Sequence, residues 1–332
     1  MIKIPRLAVA AVTGSVLLSM AACATPSSGD STEPDYPNRP ITLIQPFSAG
    51  GGTDAIARAL AVEMEESLGV PVNIEVREGG GGAIGFSAMA NGKADGYTIG
   101  LATGEITTLA HLGQMTTTPD QIVGVAQVNA YPTAIVVAAD APWENVNDLI
   151  EDVRSKPGAF TASGGARGNL GDLGRAGMLD TVGLPETAIK WVATDGAAPT
   201  LQEVLAGGLD LAFTSLPEAR ALLESGDVRA LAVFAEDRDP LRPEVPTLKE
   251  EGIDWASGGW RGIVVPAGTS EAVIERLDAA TKEALETAKY KEFAETTGST
   301  VVYRENVEFQ TFIGEQEKLF GSLITKLGIA VD

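Results

Sequence analysis

The chain is 332 residues long with 24 basic and 45 acidic side chains, one histidine and one cysteine, for a formal net charge of −21. A field of that sign repels nucleic acid and anionic lipid surfaces and disfavours both as partners, and any anion site must be built from local donors that act inside a Debye length of about 10 Å. One cysteine and one histidine exclude internal disulfides, zinc ribbons and clustered His/Cys zinc sites, and no metal and no cofactor is expected.

Residues 1–22 read as a signal peptide: Lys3 and Arg6 form a positive start, a mainly small and apolar run covers 7–20, and Ala21 and Ala22 precede Cys23. The run is too short to span a bilayer comfortably. Its end resembles a bacterial lipobox, which implies that Cys23 becomes the lipid-bearing first residue of the mature chain; an ordinary signal with an incidental cysteine is the alternative. Residues 23–35 are rich in Ser, Thr, Pro and Gly, cannot bury enough surface to offset their ordering entropy, and read as a tether. No later run is long and apolar enough for a transmembrane helix, so the expectation is a monomer held by lipid at the outer face of the cytoplasmic membrane, or periplasmic.

The β-prone run 41–47 stops at a glycine loop, 48–54, after which Ile56, Leu60, Met64 and Leu68 fall four apart as one helical stripe that Gly69 and Pro71 end. A second strand at 72–76, a second glycine run at 79–82, a small-residue helix at 83–90 and a third strand at 98–102 follow. Alternation of this kind predicts a parallel sheet covered by helices. It restarts after Pro142, with a helix at 146–154, a strand at 159–162, a third glycine loop at 163–172, and helices at 173–181, 199–206 and 218–225 interleaved with strands at 189–192, 209–214 and 230–234. Tail helices at 270–287 and 307–327 are expected to return to the first unit. The fold class is therefore α/β with two domains, a discontinuous one over 36–133 and 235–332 and an inserted one over 134–234. Ligands of open α/β sheets bind outside the carboxyl ends of strands, where all three glycine loops fall.

Catalysis is hard to staff. His111 would have to serve any Ser-His-Asp arrangement, no G-x-S-x-G turn is present, and its neighbours Leu109, Ala110 and Leu112 suit a packing role. The first glycine loop lacks the lysine of a P-loop, and the second precedes no dinucleotide-type helix. Glycines at a helix N-terminus instead offer bare N–H groups and the positive end of a dipole to an anion. The candidate contacts are Ser48, Gly50, Gly51, Gly52 and Thr53 in the first loop, Gly81 and Gly82 in the second, Thr103 after the third strand, Ser163, Gly164, Gly165, Arg167, Asn169 and Asp172 in the third loop, and Thr214 at a later strand end. Asp54 is expected as an N-cap, its carboxylate turned to the helix. Arg167 has two readings, a fork for a carboxylate or a loop arginine paired with Asp172.

The stretch from Tyr36 to Asp54, YPNRPITLIQPFSAGGGTD, with Arg58 in the helix, resembles the opening of the tripartite tricarboxylate transporter substrate-binding proteins. Matches continue at REGGGGAIG from Arg77, ADGYT from Ala94, SGG from Ser163, LAGGLD from Leu205, SGDVRALA from Ser225, PTLKEEG from Pro246, and WRG from Trp260 with PAGT from Pro266. The resemblance implies a two-domain periplasmic-binding-protein fold that closes on an organic carboxylate, tricarboxylate or dicarboxylate, and delivers it to a two-subunit membrane permease. It also implies that backbone amides, hydroxyls and waters hold the carboxylate. The third loop departs from the commoner form, in which a histidine follows the glycines. A sensory or scaffolding lipoprotein and an anion-processing enzyme are the rival functions; the latter lacks an evident base and nucleophile.

Overall fold

In a computed structural model, residues 36–330 are described. The signal, the tether and Cys23 lie outside the described residues.

The first half of the chain runs β1 (Ile41–Gln45), α1 (Gly52–Leu68), β2 (Val72–Val76), α2 (Ala83–Ala90) and β3 (Thr98–Thr103), then the long strand β4 (Ile122–Ala138). The second continues through α3 (Val146–Ser155), β5 (Phe160–Ser163), α4 (Leu170–Thr181), β6 (Ile189–Trp191), α5 (Ala197–Leu205), β7 (Leu211–Ser215), α6 (Leu216–Ser225) and β8 (Val228–Val233). The tail adds β9 (Gly258–Pro266), α7 (Glu271–Glu286), α8 (Ala288–Thr297), β10 (Thr300–Arg304) and α9 (Asn306–Lys326).

The expected stripe of α1 is the buried one: Ile56, Leu60, Met64 and Leu68 are at most 6% exposed. Each such side chain contributes about 1.5–3 kcal/mol by leaving water, here against Leu277, Ala280 and Ala284 of α7 and the face of the sheet that carries Leu43 and Leu101. Gly69, at φ 71°, ends the helix and returns its N–H to the Glu65 carbonyl.

The sheet is not simply parallel. β1, β2 and β3 pair in parallel, as do β5, β6 and β7, but β9 and β4 run antiparallel between the two trios in the order β2-β1-β3-β9-β4-β7-β5-β6. β4 belongs to both halves. Up to Pro132 it pairs with β9 and β10, and from Thr133 onward with β7 and β8. The chain crosses again between β8 and β9, where Thr133 N–H donates to the Ser257 carbonyl and the Phe234 N–H to the Thr133 carbonyl. Residues after Phe234 stay with the second half: Leu248 and Ile253 share a core with Ile135, Leu149 and Phe213.

Two helices tie the halves together. In α4 the small residues Gly174 and Gly177 let the crossing segment lie close, with Trp255 against Gly177. α9 does not return only to the first half. Its Phe309 and Ile313 pack with Trp260 and Phe86, while Phe320, Leu323 and Ile324, farther along, pack on Leu170, Leu173 and Ala176 of α4. His111 lies against Gly321 of α9, with Nε2 3.7 Å from Glu317, the packing role its neighbours suggested.

Candidate functional site

The first glycine loop leaves β1 and opens α1. The helix begins at Gly52 with Gly51 as N-cap, so Asp54 is not the cap expected from sequence. It sits in the first turn and reaches back into the loop: Oδ2 accepts the Gly50 N–H at 2.9 Å and Arg58 Nε at 2.8 Å. The Arg58 hydrogen bond, and then that of Gly50, hold the Asp54 carboxyl below the usual aspartate range against burial, which pushes the other way. Gly50 adopts φ 83°, a left-handed conformation that the turn needs and a side chain resists. With Gly50 engaged, the free donors are the first-turn N–H groups of Gly52 and Thr53, which have no intrahelical acceptor. Ser48 and Gly50 to Gly52 are exposed, and Thr53 is buried.

The third loop repeats the device. Asp172 lies in the first turn of α4, its Oδ2 accepts the Gly168 N–H at 2.9 Å, and a cation one turn on, Arg175, bonds Oδ1 at 2.6 Å. Asn169 is the true N-cap, accepting from Asp172 N–H at 2.9 Å and donating to the Gly164 carbonyl at 3.1 Å. Arg167 is tied to Asp172 at 3.2 Å and Glu186 at 3.1 Å, the paired arrangement of its two readings. Ser163 is fully buried and starts a hydroxyl chain, 2.9 Å to Thr194 and from there 2.6 Å to Thr200. Thr194 had no distinguishing motif around it and was not anticipated.

Gly164 is glycine for a reason unconnected with a ligand, since a Cβ there would stand 2.0 Å from the Phe213 carbonyl oxygen of β7. Backbone cannot yield as a side-chain tip can, so Gly164→Ala should destabilise the fold by about 3 kcal/mol, the upper end of ordinary overpacking. Urea unfolding checks it, and an unchanged midpoint would contradict the close approach. Gly165 is exempt from that contact and adopts φ 141°. In the second loop Gly79 to Gly82 all have positive φ, and Gly81 and Gly82 border Leu109 and Phe86, respectively.

Beside the first loop lies the middle residue of the Trp-Arg-Gly segment, to which the sequence alone assigns no role. Arg261 of β9 is the strand partner of Thr103 and donates its Nε–H to Thr53 Oγ1 at 2.9 Å. Its guanidinium covers the Tyr131 ring at 4.2 Å and makes no ion pair among the described residues. Burial pushes the Tyr131 phenol up, and the Glu105 carboxylate adds to it against Arg261. Thr103 and Thr214 donate their hydroxyls to Glu105 and Glu218, the two carboxylates that Tyr131 senses. Leu170, at the start of α4, abuts Gly104 next to Thr103. The first loop, Thr103, Arg261, Tyr131 and the third loop's helix thus adjoin in one region. Among the described residues no His, Cys, Asp or Glu cluster has metal-holding geometry, and no helix is long and apolar enough to cross a membrane.

The chain matches the tripartite tricarboxylate transporter family receptor over residues 56–329. It is 30% identical over 320 residues to protein BugT of Bordetella pertussis, covering 94% of this chain and 95% of that one. Among solved structures, a solute-binding protein of the TctC type from Polaromonas superposes with a TM-score of 0.81 at 32% identity, over 88% of this chain and all (100%) of that one. R. palustris Rpa4515 with adipate superposes at 0.73 with 28% identity, over 89% and 99% of the two chains. The mixed α/β architecture is that of these binding proteins, and they are receptors rather than enzymes. The chain belongs to the tripartite tricarboxylate transporter family of solute-binding receptors.

Proposed function

We propose that this receptor captures a dicarboxylate or tricarboxylate between two lobes outside the cytoplasmic membrane and delivers it to a two-subunit permease, held at the membrane by lipid on Cys23. The observation that carries the ligand site is the repeated loop. In each half, a strand runs into glycines, an aspartate of the first helical turn fixes the loop by its backbone, and an arginine one turn on balances that aspartate. Two helix N-termini of this kind are anion sites without any charged ligand contact. Arg261 supplies the cation between them, and adipate in the R. palustris relative supports a carboxylate class. The lobes would move about Pro132–Thr133 and Ser257–Gly258, the places where the backbone passes between the two halves.

Calorimetry with malate, adipate and citrate as probes tests the reading on two variants. Gly51 has an ordinary extended backbone, φ −79°, and a Cβ there would touch only the Ser48 carbonyl, at 3.4 Å. Gly51→Val should therefore fold normally and block the approach to the N–H groups. Thr53→Ala removes one hydroxyl donor to a charged acceptor, worth about 1.5–3 kcal/mol, or tenfold to a hundredfold in affinity. Parent-like affinity in both variants, for a probe that binds the parent, would place the ligand elsewhere.

A further inference from the structure

β9 turns successive side chains to opposite faces of the sheet, Arg261 toward the first glycine loop and Trp260 away from it. On the Trp260 side a cavity of about 640 Å³ opens between β10, α9 and the crossing segments 234–240 and 254–260, and none of the three glycine loops lines it. That size suits a small organic ligand.

Two features give the cavity a chemistry. Arg304, at the end of β10, lies over the Phe312 ring at 4.5 Å, donates to the Gln127 side-chain oxygen, and makes no ion pair among the described residues. Its planar fork is otherwise free to take a carboxylate. Phe312 and Leu319, both half-buried, supply accessible apolar wall, backed by the buried Phe234 and Trp260.

The exposed carboxylates of Asp237 and Asp254 also line the cavity, and a second carboxylate on the ligand would meet them. We propose that this cavity is a second ligand site, for a small monocarboxylate with an apolar body, its carboxylate on Arg304 and its body against Phe312 and Leu319. It is separate from the carboxylate site between the glycine loops and does not depend on that reading.

Benzoate is a suitable probe, with phthalate as its doubly charged and benzyl alcohol as its uncharged counterpart. Titration of the full chain, read by calorimetry and by tryptophan fluorescence, should show benzoate binding in the micromolar to low millimolar range. Phthalate and benzyl alcohol should each bind at least tenfold more weakly. Arg304→Gln should weaken benzoate at least tenfold and Arg304→Lys less, while Arg261→Gln leaves it unchanged. Phe312→Leu, an apolar replacement that keeps the helix, should also weaken it and covers the case that Arg304→Gln fails to fold. Absence of benzoate binding to the parent at ~10 mM, above the low millimolar limit expected, overturns the proposal. So does benzoate binding that survives both cavity variants and is lost in Arg261→Gln, which would put the probe between the glycine loops.

Discussion

Asp172→Ala should cost about 3–5 kcal/mol of folding stability, because it leaves a fully buried guanidinium without its nearest counter-charge. Arg175 is 0% exposed and bonds Asp172 Oδ1 through both Nε and a terminal nitrogen, at 3.2 and 2.6 Å. Its remaining partners are the carbonyls of Ile189 and Glu186 and the Glu186 carboxylate, 3.2 Å away. The same substitution also frees the Gly168 N–H and Arg167. Burial pushes the Glu186 carboxyl up, but hydrogen bonds and charge from Arg167 and Arg175 more than offset it and hold the group below its ordinary value. The stabilisation from Glu186 is therefore complete above the ordinary glutamate range and is lost as pH falls through the depressed value. Asp54→Ala removes the same kind of contact in the first loop, yet its cation, Arg58, is 57% exposed and rehydrates when freed. A much smaller loss is expected there. Urea unfolding of both variants and of Asp172→Ala with Arg175→Met measures the difference: the double variant should recover part of the loss, since an apolar side chain needs no counter-charge. An Asp172→Ala loss no larger than that of Asp54→Ala would mean that Arg175 finds other compensation.

The equivalence of these two loops was half visible in sequence. Both were read as glycine turns opening helices, because the strand before each and the spacing after each are local patterns. The aspartates' roles as loop anchors were not: Asp54 was expected as an N-cap, a shift of a few positions that helix signals do not resolve, and Asp172 among the ligand contacts, whereas both hold a loop N–H from the first helical turn. The middle of the sheet was missed for a related reason. Pro132 and Gly124 break the apolar run of β4, and Gly258, Gly259 and Gly262 make β9 look like a loop. Those glycines answer to distant neighbours: a Cβ at Gly259 would enter the Tyr131 ring and one at Gly262 the Phe309 ring. Such demands come from packing across the sheet, which no window of sequence contains. Pro132 sits where β4 leaves β9 for β7, a place where a missing ladder donor is tolerated. Arg261 was likewise in plain view within its Trp-Arg-Gly segment. Its partner Thr53 is 208 positions away, so only the fold assigns it a place.

Arg261→Gln should weaken a dicarboxylate or tricarboxylate probe by roughly thirtyfold to a hundredfold, about 2–3 kcal/mol for a charge-assisted contact in a half-buried site. Two observations set the size. Arg261 is held in position by Thr53 and by the Tyr131 ring, so little side-chain entropy remains to be lost when a carboxylate arrives. It also has no carboxylate of its own among the described residues, so the ligand displaces no existing ion pair. Arg167 differs on both counts, being paired with Asp172 and Glu186 and 38% exposed on its side chain. Arg167→Ala should change affinity less than threefold, well under the 1.4 kcal/mol that a tenfold change requires. Arg261→Lys should fall between parent and Arg261→Gln, because the charge remains while the fork and the stacking on Tyr131 are lost. Calorimetry on the three variants, each checked for folding by thermal melting, ranks the two cations. If Arg167→Ala gives the large loss and Arg261→Gln the small one, the carboxylate is gripped from the third loop, and Arg261 serves only to hold Thr53 and Tyr131 in place.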